Sequence, residues 1–202
     1  RGFDPDVFLY ETDLDMAKEL LLAGGFKEGD SFDYMVSSTS ADDKTTAQLF
    51  QANLNQIGFD LTITEVDLAT YDDMIYGDMP ADERPAIMGG WAWWPDYNDS
   101  WNQLAPNFLA SAMNGGGSNA GAYVNDRFEE LMVQAEVFTV EEELNTTMKE
   151  CQQILVEADP AAIFYGETKY YTILQKGIGG FVPNPLYLDT YMFYDLYRDQ
   201  EA

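Results

Sequence analysis

Apolar residues in the first half of the chain alternate between strand spacing and helix spacing. In residues 31–38 the apolar side chains of Phe32, Tyr34 and Val36 recur at every second position, which predicts a half-buried strand. Residues 41–57 instead repeat apolar side chains every three or four positions, which predicts a helix. In chain order, the predicted elements cover residues 13–23 (helix), 31–38 (strand), 41–57 (helix), 61–66 (strand), 70–76 (helix) and 86–90 (strand).

This order of strand, helix and strand predicts an α/β fold. Such a unit joins parallel strands through a crossover helix, and it favours a largely parallel sheet covered by helices. Ligands of open sheets of this kind bind beyond the carboxyl ends of the strands. The strand predicted at residues 86–90 runs directly into a tryptophan-rich segment, so we expect that segment to lie at such an end.

The second half of the chain is predicted to be mostly helical. The pattern predicts helices over residues 100–109, 125–138 and 141–157, with Asn125 as an N-cap and Asp159-Pro160 as a helix breaker. Between the first two, the sequence MNGGGSNAGA predicts a flexible loop near the site, without the lysine of a phosphate-binding P-loop. A short strand is expected at residues 161–165, and residues 170–174 fit either a strand or a helical turn.

The end of the chain differs from what precedes it. Residues 177–185 are rich in glycine and proline, and residues 187–197 are aromatic and alternating. We expect the latter to form a strand that pairs outside the compact α/β part.

Residues 89–99, with the sequence GGWAWWPDYND, are the strongest candidate for a binding site. They hold three of the four tryptophans, namely Trp91, Trp93 and Trp94, beside the polar side chains of Asp96, Tyr97 and Asn98. Flat apolar rings with a few polar groups are typical of a ligand pocket, because the rings supply contact and the polar groups fix orientation. The same rings also suit a core cluster, and the pattern leaves both interpretations open.

The charge balance excludes some partners. Thirty-six acidic residues stand against 10 basic ones, for a formal net charge of −26. Nucleic acids and anionic membrane surfaces are polyanions, so we expect neither as a partner. The acids are scattered along the chain, which favours adaptation to a salty or acidic habitat over steering of a cationic ligand. No apolar run approaches a membrane span, and no leader precedes Arg1, so we expect any export signal to have been removed or to lie elsewhere.

Catalytic and metal chemistry has few candidates. The chain has no histidine, which excludes histidine-dependent nucleophiles and histidine metal sites. Its paired acids lack the spacing of a calcium loop, so we expect no metal and no cofactor. The single cysteine, Cys151, falls in a helical pattern and is expected to be buried and inert. A glycoside hydrolase with Asp96 and Asp99 as its carboxylate pair stays open as an alternative of a different class.

Six stretches of the chain match, in order, the motifs of one known family. They are YETDLDMAKELLLAGGF, AQLFQANLNQIGF, GW followed by PDYND, AYVN with the helix after it, residues 154–163, and FVPNPLY. In this order they resemble the extracytoplasmic solute-binding proteins of ABC importers, family 5, the oligopeptide, dipeptide and nickel-binding group. The sequence GW followed by PDYND resembles that family's G-W-x-x-D-Y-x-D-P loop, although Trp93, Trp94 and Pro95 lengthen it and Ser100 replaces the proline.

The resemblance implies an architecture and a function. It implies a periplasmic-binding-protein-like (type II) fold, a C-terminal lobe with a mixed, mostly parallel sheet and helices on both faces. Residues 1–176 would form the ligand-binding lobe, and residues 177–202 would return to the other, N-terminal lobe. It further implies a non-enzymatic protein of the periplasm, or a lipoprotein of the cell surface, that captures small peptides for ABC permease subunits. Asp96 matches the acid that pairs with a peptide's amino group, and an oligosaccharide ligand is the alternative because tryptophan rings suit pyranose faces.

Overall fold

A computed structural model of the protein describes residues 4–7, 10–166, 169–184, 186 and 192–198. Its main sheet has three parallel strands, β1 (Ser31–Ser37), β2 (Asp60–Val66) and β3 (Ile87–Met88), in the order β2-β1-β3. Tyr34 at the centre of β1 is opposite Ile63 on one side and Ile87 on the other. The predicted parallel sheet is therefore confirmed.

The α-helices within the described ranges begin close to their predicted starts. Asp13, Ser40, Asp67, Asp99 and Asn125 each accept a hydrogen bond from a backbone N–H of the first turn, which satisfies a donor that the helix itself leaves unpaired. The helices are α1 (Leu14–Ala23), α2 (Ala41–Gln56), α3 (Leu68–Tyr76), α4 (Ser100–Phe108), α5 (Asp126–Ala135) and α6 (Glu141–Gln153), the last continued by a π-helical turn at Ile154–Ala158. None of the helices described is long and apolar enough to cross a membrane.

Helices cover both faces of the sheet because side chains alternate along β1. Tyr34 and Val36 point to one face, where they pack with Ala47 of α2. Met35 points to the other face, where it packs with Tyr71 and Ile75 of α3. The predicted arrangement of helices on both faces is thus confirmed.

A second core lies where α4, α5 and α6 meet. Phe128 and Met132 of α5 are buried against Met148 and Cys151 of α6. Burial raises the pKa of the Cys151 thiol to about 12, which keeps the sulfur protonated and poorly nucleophilic at neutral pH. The expectation of a buried, inert cysteine is confirmed.

The structure differs from the sequence prediction mainly after α6. Residues 161–165, expected as a strand, and residues 170–174, expected as a strand or helical turn, have no regular secondary structure. Ile163, Phe164 and Tyr165 are exposed, and an apolar run alone does not distinguish a buried strand from an exposed apolar surface.

The strand expected over residues 187–197 falls partly outside the described residues, since residues 187–191 are not among them. Its described end, β5 (Tyr197–Arg198), pairs antiparallel with β4 (Ile178–Gly179). This pairing lies within the C-terminal segment itself and is separate from the parallel sheet.

Candidate functional site

The tryptophan loop, residues 89–99, leaves the carboxyl end of β3 through two glycines. A Cβ added to Gly90 would collide with the carboxylate of Asp43 in the first turn of α2, and one added to Gly89 would stand 3.0 Å from Val36. The Gly89 N–H donates to the Met35 carbonyl oxygen at 2.8 Å, and the Gly89 carbonyl accepts a hydrogen bond from the Tyr71 hydroxyl. The absence of side chains here lets the loop start against α2.

Two indoles of the loop are attached to α4. The Trp91 Nε1–H donates to Asn107 Oδ1 at 3.2 Å, and the Trp93 Nε1–H donates to the Asn102 carbonyl oxygen at 2.8 Å. Trp93 is half-buried, while Trp91 keeps 42% of its surface exposed and meets Tyr76 edge to face. The hydrogen bonds fix the orientation of both rings and leave part of the Trp91 ring exposed.

The third indole, Trp94, turns toward the C-terminal segment. Its Nε1–H donates to the Leu186 carbonyl oxygen at 2.7 Å, and its ring meets Tyr170 edge to face at a centroid separation of 5.4 Å. Trp94 is 41% exposed. The three rings are therefore not a buried core cluster, which was the alternative interpretation of the sequence, although Trp93 is partly covered.

Asn102, which sequence reasoning missed, organises the loop. Only 4% of its surface is exposed. Its Oδ1 accepts the Asp96 N–H at 2.6 Å, and its Nδ2 donates to Asp96 Oδ2 at 3.4 Å. Together with the Trp93 contact, three hydrogen bonds join this residue to the loop. An asparagine inside a helix, where this residue type is disfavoured, is the signal that could have identified it.

The other polar residues predicted for the site are the acids, the phenol and the amide of residues 96–99. Asp96, Tyr97 and Asn98 are all exposed. Asp99, the second acid of the alternative hydrolase pair, accepts a hydrogen bond from the Trp101 N–H at 2.9 Å and is the N-cap of α4. A helix cap accounts for Asp99 without any catalytic role. Among the described residues, no group of three potential ligands of the His, Cys, Asp and Glu types could hold a metal ion.

Part of the glycine-rich loop of residues 113–122 is packed, while residues 114–116 and Gly121 are exposed. Asn119 is 1% exposed, and its side chain bonds the backbone of Leu109 and Tyr123 at 2.8–3.0 Å. A Cβ on Gly116 would collide with the Ser111 carbonyl, and one on Gly117 would stand 2.8 Å from Ala112. The glycines therefore allow close packing here.

Arg84 ties this loop to α3. Its guanidinium donates to the carbonyl oxygens of Met74 at 2.9 Å, Ala120 at 2.8 Å and Met79, and to Asn114 Oδ1 at 3.2 Å. Arginine can make several hydrogen bonds at once, because its planar guanidinium carries five N–H donors in a fixed geometry. A structural role, rather than ligand binding, follows for this cation.

Comparison with known proteins identifies the relatives of this arrangement. Residues 2–115 match the family model described as bacterial extracellular solute-binding proteins, family 5 Middle. The dipeptide-binding protein of Escherichia coli K12 is 26% identical over 190 residues, which cover 92% of this chain and 34% of that protein. Heme-binding protein A of Haemophilus influenzae is 25% identical over 194 residues, 94% of this chain and 34% of that protein. The chain thus spans about a third of the length of these curated relatives.

Solved structures share the fold. HbpA2 from Haemophilus parasuis superposes with a TM-score of 0.78 at 23% identity, over 98% of this chain and 38% of that one. DppA from Helicobacter pylori, in complex with the peptide STSA, superposes with a TM-score of 0.65 at 25% identity, over 76% of this chain and 29% of that one. The fold is the periplasmic-binding-protein-like (type II) α/β fold that the sequence motifs imply, and the homologues are substrate-binding proteins rather than enzymes. The chain belongs to the family 5 bacterial extracellular solute-binding proteins.

Proposed function

We propose that this chain supplies the ligand-binding lobe of an extracytoplasmic solute-binding component of an ABC importer, and that its ligands are small peptides. Membership of family 5 supports the general role, and similarity to a dipeptide-binding protein and to a solved peptide complex supports the ligand class. In this proposal the partners are ABC permease subunits, and the protein acts in the periplasm or as a lipoprotein at the cell surface.

The observation that carries the proposal is the geometry of the tryptophan loop. Asp96 is exposed in the loop that follows β3, while buried Asn102 bonds its backbone and carboxylate. The rings of Trp91 and Trp94, in the same loop, are each partly exposed. Partly exposed rings and a positioned carboxylate in one loop suit a ligand that has apolar parts and one cationic amine, since little ordering is needed on binding.

The C-terminal segment supports a division into lobes, with residues 1–176 as the binding lobe and residues 177–202 as the return to another lobe. Large apolar side chains around this division are almost fully exposed: Ile173 is 92% and Tyr194 98% exposed. Many other large apolar side chains of residues 163–197 are exposed as well, which favours a surface that another part of the protein covers. We propose that a second lobe of the same protein covers this surface, because the chain spans only about a third of the length of its curated relatives.

Calorimetric titration of the full-length protein with a dipeptide and with its N-acetylated form tests the role of Asp96. A charge-assisted hydrogen bond contributes about 1.5–3 kcal/mol, so Asp96→Asn should weaken binding of the free-amine peptide by about ten- to a hundred-fold. The acetylated peptide should bind weakly to both forms, because it has no ammonium group.

Asp99→Asn is the matched control. It removes one negative charge from the same loop, but asparagine caps a helix as well as aspartate does. Equal losses of affinity in Asp96→Asn and Asp99→Asn would assign the effect to general electrostatics and would contradict a direct contact at Asp96.

An oligosaccharide is the second candidate ligand, favoured by the partly exposed ring of Trp94. A pyranose face would stack on this ring, and stacking depends on apolar contact rather than on charge. If the ligand is a sugar, Trp94→Ala should weaken binding strongly while Asp96→Asn has little effect. Peptide binding predicts the opposite ranking of these two variants.

A further inference from the structure

Trp94 differs from the other two tryptophans of the loop in where its indole is anchored. The N–H groups of Trp91 and Trp93 donate to residues of α4, the helix that follows the loop directly in the chain. The Trp94 Nε1–H instead donates to the Leu186 carbonyl oxygen at 2.7 Å, 92 residues further along. An indole has this single polar hydrogen, so the bond fixes one edge of the ring. The orientation of Trp94 therefore depends on a distant part of the chain.

Tyr170 contacts the same ring from a second direction. The two rings meet edge to face, with their centroids 5.4 Å apart and their planes at 89°. Aromatic pairs favour this geometry, because the positive edge of one ring meets the negative face of the other. Tyr170 is 59% exposed and belongs to none of the three buried clusters of the described residues. Core packing therefore does not account for the position of Tyr170 against Trp94.

The two contacts act on the torsions of Trp94 that its backbone leaves free. Pro95 follows Trp94, and a proline restricts the residue before it to extended backbone. The side-chain torsions remain, and a partly exposed indole without partners would populate several rotamers. Leu186 is itself held by a local turn, since its N–H donates to Asn184 Oδ1 at 3.0 Å. The hydrogen bond and the ring contact together select one orientation of Trp94.

From these contacts we infer that Tyr170 is a positioning residue of the ligand site, which acts through Trp94 and does not touch the ligand. The inference rests on the proposed function and deepens it, because it assigns part of the scaffold of the tryptophan loop to residues 170–186. A ring that is already oriented loses little freedom when a ligand packs on it, whereas a free ring must be ordered at that moment. Ordering one such side chain lowers affinity by about two- to ten-fold.

Calorimetric titration of the full-length protein with a dipeptide measures this effect. Tyr170→Ala should weaken binding by about two- to ten-fold, the cost of ordering one side chain. Tyr170→Phe should keep the affinity of the wild type, because an edge-to-face contact requires the ring and not the hydroxyl. Tyr171→Ala is the matched control, since Tyr171 is the next residue and is 83% exposed. It should bind as the wild type does.

A double-mutant cycle tests whether Tyr170 acts through Trp94. In a Trp94→Ala background, Tyr170→Ala should cause no further loss of affinity, because the ring that Tyr170 holds is gone. The same loss in both backgrounds would overturn the inference. It would also be overturned by a Tyr170→Ala variant that binds like Tyr171→Ala, or by a Tyr170→Phe variant as weak as Tyr170→Ala.

Quenching of tryptophan fluorescence by acrylamide tests the positioning of the ring without any ligand. Tyr170→Ala should make Trp94 more accessible to the quencher, and this increase should be absent in the Trp94→Ala background. Quenching that Tyr170→Ala leaves unchanged would overturn the inference even if peptides bind. Binding of no dipeptide by the wild type would instead overturn the proposed peptide function, and the quenching result would then decide by itself whether Tyr170 holds Trp94.

Discussion

Replacing Asn102 by alanine tests whether this buried amide holds the tryptophan loop in its conformation. The substitution removes the acceptor of the Asp96 N–H, bonded at 2.6 Å, and the donor to the Asp96 carboxylate, at 3.4 Å. It keeps the Asn102 backbone carbonyl that accepts from the Trp93 indole. The change therefore separates the fixing of Asp96 from the fixing of Trp93.

The expected loss follows from these two bonds. The shorter hydrogen bond contributes about 0.5–1.5 kcal/mol net to stability. If the Asp96 N–H were left without any partner, water included, the cost would rise to about 1–3 kcal/mol. The bond at 3.4 Å is long and adds little. Because Asn102 is almost fully buried, a small cavity adds to the loss. We therefore expect the free energy of unfolding to fall by about 1–3 kcal/mol, following from those bond energies.

Urea unfolding followed by tryptophan fluorescence measures this change, since three of the four tryptophans lie in the loop. Gln103→Ala is the control, because Gln103 is exposed at the next position of α4. Titration with peptide gives the second readout: a loosened Asp96 should weaken binding of a free-amine peptide more than that of its acetylated form.

If Asn102→Ala unfolded with the same free energy as Gln103→Ala, the reasoning about buried hydrogen bonds would be refuted. A loss of stability with unchanged peptide affinity would show that Asn102 supports α4 but does not position Asp96. Asn102→Asp sharpens the test, since it keeps an acceptor for the Asp96 N–H but sets two carboxylates face to face. At a separation of 3.4 Å their repulsion is about 1 kcal/mol in water and about 5 kcal/mol at an effective dielectric constant of 20.

Three further predictions concern the rest of the molecule. Burial raises the pKa of three groups to about 12 in the folded state, namely Cys151, Tyr71 and Tyr123, whereas the unfolded chain ionises them from about pH 9–10. The free energy of unfolding should therefore be unaffected by these groups below that range and should fall as the pH rises toward about 12. A melting temperature that stays constant over this alkaline range would contradict the prediction. Arg84→Met should lower the free energy of unfolding by at least one charged hydrogen bond, about 1.5–3 kcal/mol. Arg127→Met, which removes only exposed ion pairs, should change the urea midpoint little, and equal midpoints of the two variants would refute the role of Arg84. The net charge of −26 predicts that the melting temperature rises from low to moderate salt, and calorimetric scans showing a falling melting temperature would contradict self-repulsion.

Local signals predicted the helices and strands of the parallel unit well. Asn125 was expected as a helix cap and is one, because capping needs only a side-chain oxygen and the backbone a few residues later. Predictions that depend on what surrounds a segment in the folded protein were less successful. The apolar run of residues 161–165 satisfied the pattern of a buried strand, yet it pairs with no strand in the described part of the chain, and Ile163, Phe164 and Tyr165 are exposed.

In the glycine-rich loop, too, the packing depends on the surroundings. Glycine permits flexibility, but it also permits close approach of backbones, and the sequence does not say which is used. Here buried Asn119 and the guanidinium of Arg84 hold the loop in place. Both partners come from contacts that no spacing rule predicts.

The sequence by itself determined the order of the parallel strands and helices, the family, and the loop that holds the candidate site, because periodicity, caps and short motifs are local properties of the chain. Only the tertiary structure decided which polar groups meet that loop. Asn102 reaches it from α4, whereas Asp43 and Tyr34 reach its base from α2 and β1. These residues converge because parallel strands and their crossover helices bring together segments that are distant in sequence, and side-chain contacts between such segments have no local signature.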